Sequence, residues 1–331
     1  HGADAVGAVI NAQDGTFFGF TDVFLSGIRA EVRNQETNLG NLTADANLAE
    51  ARKTDPTVLV SLKNGGGIRD SIGAVVGNDP PVQVPPLENP GAGKPAGAVS
   101  QLDIVNALRF NNSLTLLTLD AAGLRTILEH GVRANTGANT PGQFPQIAGV
   151  NFSFDITKPP GARIDNAVIV DEDGDILDVL VRDGQLVGDP TREIRIVTLN
   201  FLANGGDSYP FPALAKPGSR VDLIQTGVRD GVATFADTGT EQDALAEYLA
   251  ARHATPDAAF DQLNVGPDLD TRIQQTAFRI DAVEPVLEFH LFRSSTFRGD
   301  VETLRNPMTN LAYTAEKVGG GPFDSSAADD P

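Results

Sequence analysis

The chain predicts an α+β domain, and three observations carry that prediction. Strand-like runs mix with capped helical segments without a strict strand-helix alternation. Asp-Gly pairs punctuate the strand text, and 40% apolar residues over 331 positions suffice for a packed core. "AVGAVINAQ" near the start alternates and reads as a strand. "ETNLGNLTADANLAEARK" then repeats apolar residues at helical spacing through Leu39, Leu42, Ala46 and Ala49. "TVLVSL" is a short apolar run of the kind a buried strand uses, and the glycines of "KNGGGIRD" end it.

Residues 80–97, "PPVQVPPLENPGAGKPAG", hold too much proline and glycine for a regular element and read as a surface insertion. Ser100 with Asp103 three residues on marks a helix N-terminus before "IVNALRF". "SLTLLTL" returns to strand, and "DAAGLRTILEHGV" is a second capped helix with Asp120 at its mouth. "GVNFSFDI", "NAVIVDEDGDILDVLVRDGQLV" and "TREIRIVTLNFLA" are strand text with Asp-Gly turns, and "EQDALAEYLAAR" closes with a helix. The domain ends near 265 or 285 on this reading, with 1–265 taken as the domain and 266–331 as a C-terminal extension. In that extension "EFHLFRSSTFRGDVETL" has the makings of folded structure, while "VGGGPFDSSAADDP" is small, polar, tail-like text.

Charge and composition exclude several functions. Asp and Glu number 44 against 25 Lys and Arg, a formal charge of −19, which argues against a nucleic-acid partner held through counterion release. A small anion held by a local group of arginines is still allowed. With no cysteine, thiolate metal sites, disulfides and a cysteine nucleophile are out. No apolar run approaches the roughly 18 residues of a membrane span. The acidic, lysine-poor composition and a start at His1 point to an exported, processed or excised piece, secreted, periplasmic or extracellular.

The glycine run 65–67 removes Cβ atoms, which allows positive φ angles and close approach of backbone N–H groups to an anion, with Arg69 just beyond. By itself it is an ordinary turn after a strand, and it lacks the Lys-Ser/Thr ending of a phosphate-binding loop. The four histidines, His1, His130, His253 and His290, stand singly and form no metal motif. "DEDGD" at 171–175 fails as a calcium loop, because its twelfth position is Arg182 and its flanks are strands. No Gly-x-Ser-x-Gly appears, so nucleophilic catalysis lacks support.

Five stretches in order change the weight of these signals: "RNQETNLGNLTADA", "NGGGIRD", "ALRFNN", "GVNFSFDITKPPGARI" and "NFLANGGDSY". Together they resemble the C-terminal, substrate-binding domain of the secreted 5'-nucleotidase and UDP-sugar hydrolase family, over about residues 5–255. The resemblance implies a layered α/β/β/α fold. It implies that Arg33 and Arg69, with Arg29 as a third, contact a substrate phosphate, a task suited to planar guanidiniums. Phe110 and Phe201 would sandwich a nucleobase, Asp207 would accept from ribose hydroxyls, Asn64 would lie near the base, and Gly66 would let the backbone pass close to the nucleotide. Without the resemblance each phenylalanine reads as core and Asp207 as a turn residue. In this family two divalent metal ions sit in a separate N-terminal metallophosphoesterase domain, covalently attached or separate, which this sequence does not contain; no cofactor is expected in the chain itself. Two readings follow: the nucleotide-binding half of an exported 5'-nucleotidase, or a stand-alone extracellular protein that kept the fold without catalysis.

Overall fold

The computed structural model describes residues 2–284 together with 304–305 and 312–313. Two compact units are present, His1–Glu284 and Pro285–Pro331.

The first unit opens with α1, Gly2–Gly15, where the sequence predicts a strand. Val6, Val9 and Ile10 stand at i, i+3 and i+4, a helical spacing that the small-residue alternation of "AVGAV" obscures. After β1 (Phe17–Phe20) and the single turn α2 (Arg29–Val32) comes α3, Asn38–Thr54, begun by the Thr37 side chain accepting from Gly40 N. Its Leu39, Leu42 and Ala46 are buried, as their spacing requires. β2, Val60–Asn64, follows, and the glycines form one 3-10 turn.

The insertion is less plain than its composition suggests. β3 (Ala74–Val76) pairs with β4 (Val82–Val84), which lies within the stretch expected to hold no regular element. Lys94 is tucked inward, 2.9 Å from Asp14 and 2.7 Å from Asp103, so this surface loop is clasped to α1 by a buried cation. β5 (Ala98–Ser100) leads into α4 (Gln101–Ala107), where Ser100 and Asp103 form a reciprocal capping box. Then come β6 (Leu114–Asp120) and α5 (Ala121–Val132), capped by Asp120 accepting from Gly123 N.

β7 (Pro145–Ala148), β8 (Val150–Phe154), β9 (Ile164–Val170), β10 (Ile176–Arg182), β11 (Gln185–Leu186) and β12 (Glu193–Leu199) complete the strand-rich middle. The two-residue turn Asp183-Gly184 has φ of 50° and 74°, the positive pair that a tight hairpin with right-handed twist demands. Short helices α6 (Asn200–Ala203) and α7 (Phe211–Leu214), strand β13 (Val221–Asp222), helix α8 (Glu241–Arg252) and β14 (Ile273–Gln275) finish the unit.

One sheet has the order β13-β6-β12-β2-β7, with β12 and β2 parallel and the other pairs antiparallel; the second has the order β11-β10-β9-β8-β14. The α+β class is as expected, but the layers are ordered differently. Lys63 pairs with Gln146 and Asn64 with Pro145, so these pairs face opposite sides of the first sheet. Gln146 meets Gly40 of α3 on one side, while Pro145 meets Gly131 of α5 on the other. α5 also packs against β9, β10 and β11, and its Leu124, Ile127, Leu128 and Val132 are fully buried among both sheets. The helix therefore lies between the sheets, and the order is α/β/α/β rather than α/β/β/α. An amphipathic pattern reveals that a helix is buried but not what lies across its far side.

The boundary at 265 also moves. β14 extends the second sheet in parallel with β8, and Val283 covers Val168 and Val170 on that sheet's outer face, so the unit runs through 284. Of the extension, the described part is a two-stranded ladder, β15 (Leu304–Arg305) with β16 (Ala312–Tyr313). The tail-like text 318–331 lies outside the described residues. No helix among the described residues is long and apolar enough to cross a membrane.

Candidate nucleotide-binding cleft

The glycine turn sits at the end of β2, but it does not work as composition suggests. None of Gly65, Gly66 and Gly67 has a positive φ. Gly65 N donates to Phe144 O at 2.7 Å and Gly66 N to Gly142 O at 2.8 Å, so these two N–H groups are spent on backbone rather than free for an anion. What demands glycine is crowding. A Cβ on Gly65 would stand 1.9 Å from Val32 O, and one on Gly66 2.8 Å from Gly142 O. The turn lets three chain segments close together and delivers Arg69 to the rim, its own N–H bonded to Ala107 O at 2.8 Å.

A cleft of about 270 Å³ opens there, lined by Arg33, Asn64, Gly66, Gly67, Arg69, Phe110, Asn112, Gly142, Phe201 and Asp207. Seven of the eight residues named from sequence line it. Arg29 does not; it is exposed at the start of α2, one turn before Arg33. The three arginines still share a field. Burial, then the Arg29 and Arg69 guanidiniums, pull Arg33 below its ordinary value while Asp207 pulls the other way, and an arginine stays charged at neutral pH regardless.

Arg33 is only 7% exposed, yet among the described residues its side chain makes one hydrogen bond, a long one, Nη1 to Thr140 O at 3.4 Å. Its Nε is buried with no partner among the described residues, and so is Asn64 Oδ1. Buried polar atoms left unpaired carry a desolvation penalty, and a ligand that pairs them removes it. Asn64 Nδ2 donates to Asp207 Oδ2 at 2.6 Å, which fixes the carboxylate. Asp207 itself holds φ 52° and ψ 23°, a left-handed conformation uncommon outside glycine. A bond from behind supports it: His130, a buried residue of α5, lies with Nε2 2.9 Å from the Asp207 carbonyl. Since that carbonyl only accepts, Nε2 carries the proton; burial also holds the imidazole below its ordinary pKa.

The rings are placed for contact rather than packing. Phe110 is 61% exposed and Phe201 43%, against 0% for Phe144 and Phe152 between the sheets. The Arg69 guanidinium lies 5.7 Å from the Phe110 ring centroid, within cation–π range. Gly206 runs beneath Phe201, where a Cβ would come within 2.6 Å of the ring.

Sequence reading missed Asn112, Gly67 and Gly142 as lining residues. Asn112 lies two residues past Phe110 in the quoted motif "ALRFNN", so its signal was present. Gly142 comes from a loop with no motif of its own. Among the described residues no group of three or more His, Asp or Glu side chains could hold a metal ion. A second hollow of about 260 Å³, lined by Ala122, Arg125, Thr126, Glu129, Gly161 and Leu186, offers one arginine and no exposed ring.

Comparison with known proteins identifies the family. Residues 17–216 match the family described as 5'-nucleotidase, C-terminal domain. The chain is 31% identical over 206 residues to the trifunctional nucleotide phosphoesterase protein YfkN of Bacillus subtilis, covering 62% of this chain and 12% of that protein. It is 32% identical over 196 residues to the 5'-nucleotidase of Diplobatis ommata and 29% over 200 residues to that of Homo sapiens, in each case 58% of this chain and 29% of the relative. Among solved structures, the 5'-nucleotidase precursor of Thermus thermophilus superposes with a TM-score of 0.58 at 26% identity, covering 82% of this chain and 41% of that one. The chain thus spans well under half the length of these relatives. With the family match covering more than half of its residues, the chain belongs to the 5'-nucleotidase C-terminal domain family.

Proposed function

We propose that the chain binds nucleoside monophosphates in this cleft and serves as the substrate-holding part of an exported nucleotide phosphoesterase. Arg33 and Arg69 take the phosphate, with Arg29 adding charge from the rim. Phe110 and Phe201 stack on the base, and Asp207, with one oxygen already held by Asn64, offers the other to the ribose hydroxyls. The single observation that carries this reading is a guanidinium that is 7% exposed and under-bonded, set in one cleft with two outward-facing phenylalanines. A core has no use for either feature.

Two divalent metal ions would supply an activated water from a partner metallophosphoesterase domain. On this reading the contribution of this chain is to bind and orient the substrate. Calorimetric titration with AMP, adenosine and adenosine triphosphate tests the reading, with AMP bound more tightly than adenosine. AMP incubated with the pure chain and zinc, manganese or cobalt should release no phosphate; metal-dependent turnover would overturn the division of labour.

A further inference from the structure

Behind the cleft lies an ion pair that is not part of its lining. Lys63 and Glu241 are both 0% exposed, with Nζ 2.9 Å from Oε2. Lys63 immediately precedes Asn64 on β2, and by strand alternation its side chain leaves the opposite face of the sheet. Glu241 is the first residue of α8. A buried pair of this kind contributes little net stability over an apolar pair of similar volume, so its presence calls for a geometric reason.

The reason lies on the second oxygen. Glu241 Oε1 accepts from both the backbone N and the Nδ2 of Asn112, each at 3.0 Å, while Glu241 N donates to Asn112 O at 2.9 Å. The next residue fastens the loop on its other side: Gln242 Nε2 donates to Leu108 O at 2.8 Å, and Gln242 N to Asn111 Oδ1 at 3.2 Å. Phe110 stands at the tip between these ties, beside Asn111 at φ 43°, a left-handed position that a free loop would abandon. β2 is independently secured by its pairing with β7, so the part that needs holding is the loop.

We propose that Lys63 and Glu241 are positioning residues: Lys63 pins one carboxylate oxygen so that the other holds the Phe110–Asn112 loop in register with the glycine turn. The proposal rests on the nucleotide reading above and assigns neither residue a contact with ligand. It predicts a split between the two ends of the cleft.

Two double variants of the full chain separate positioning from bulk stability. Lys63→Met/Glu241→Leu removes the charges and the acceptor, and adenosine affinity should fall about tenfold, the scale on which a misplaced stacking ring is felt. Inorganic phosphate, titrated by NMR, should bind within about twofold of the parent, because the hydrogen bonds of the Arg33 and Arg69 guanidiniums go to Thr140 O and Gly66 O rather than to the Phe110–Asn112 loop. Lys63→Met/Glu241→Gln removes the charges but keeps an acceptor for Asn112, and adenosine affinity should return to near the parental value. If the folded leucine variant binds adenosine as the parent does, or if phosphate binding falls equally, the positioning role is overturned. Hydrogen exchange on the unaltered chain tests the same point without any variant: the Asn112 amide should be protected, and exchange at the rate of an open loop overturns the proposal. Should the parent itself bind no adenosine, the nucleotide reading falls, and this inference with it.

Discussion

Arg33 and Glu36 are three residues apart on one loop and about equally buried, at 7% and 5% exposed, yet their surroundings are opposite. Glu36 is saturated. Oε1 accepts from Asn41 Nδ2 at 2.6 Å, and Oε2 accepts from the backbone N of Thr271, Arg272 and Ile273 at 2.9, 2.6 and 3.2 Å. It staples the segment carrying β14 to the loop before α3. The Arg33 side chain has one long bond and a buried Nε without a partner among the described residues. A charge that holds a fold together has its partners within the chain; a charge kept for a ligand lacks them until the ligand arrives.

Substituting the two should therefore act in opposite directions. Glu36→Ala strands three backbone donors and should lower unfolding free energy by about 3 kcal/mol or more in a urea titration. Arg33→Met removes an under-bonded buried cation, so stability should hold or rise while AMP affinity falls by about a hundredfold, the loss expected of a bidentate charged contact. Destabilisation by Arg33→Met comparable to that of Glu36→Ala would erase the distinction.

Arg69→Gln sharpens the comparison at the exposed end of the cleft. AMP should weaken by roughly tenfold or more, and adenosine, which carries no phosphate, should bind as before. Equal losses for both ligands would reduce Arg69 to a support for the turn. Phe110→Leu and Phe201→Leu should each weaken adenosine by about tenfold and shift Tm by only about 2 °C, because both residues are exposed, at 61% and 43%. A large Tm fall with unchanged affinity would instead mark them as packing residues.

The pH-dependent effect concerns a neighbour of the staple. Asp270 accepts from Glu36 N at 3.2 Å through Oδ2, its Oδ1 is buried without a partner among the described residues, and burial, with the Glu36 charge adding to it, pushes its carboxyl up to about 8. Its protonated form suits the fold. Ionisation therefore works against folding: the contribution is intact below the unfolded value of 3.8, declines as pH rises towards about 8, and is gone above that. Asp270→Asn, which imitates the protonated acid, should match the parent near pH 4. By pH 9 it should be the more stable of the two, read as a higher Tm. A constant offset across that range would mean that Asp270 does not titrate in the window.

How much of this was legible depended on the reach of each interaction. Ser100 and Asp103, or Asp120 and Gly123, act across one helical turn and leave their mark in adjacent letters. The cleft residues were legible for a different reason: the quoted motifs carry them, and seven of the eight named positions do line one cleft, though what they bind is a proposal. Arg29 was named on the same grounds and stands outside the lining. The mode of action of the glycines was not legible, since the missing Cβ atoms serve the closeness of Val32 and Gly142, segments remote in sequence.

Sequence alone thus determined the α+β class, most helix starts, the strand text and the family, because propensity, capping and side-chain periodicity are settled within a few residues. Tertiary structure decided the rest. It placed α5 between the sheets, drew β14 into the second sheet, and found for Lys63 a partner 178 positions away. The physical reason is that a buried charge or an apolar face requires a complement but does not specify it; only the folded chain brings one within reach.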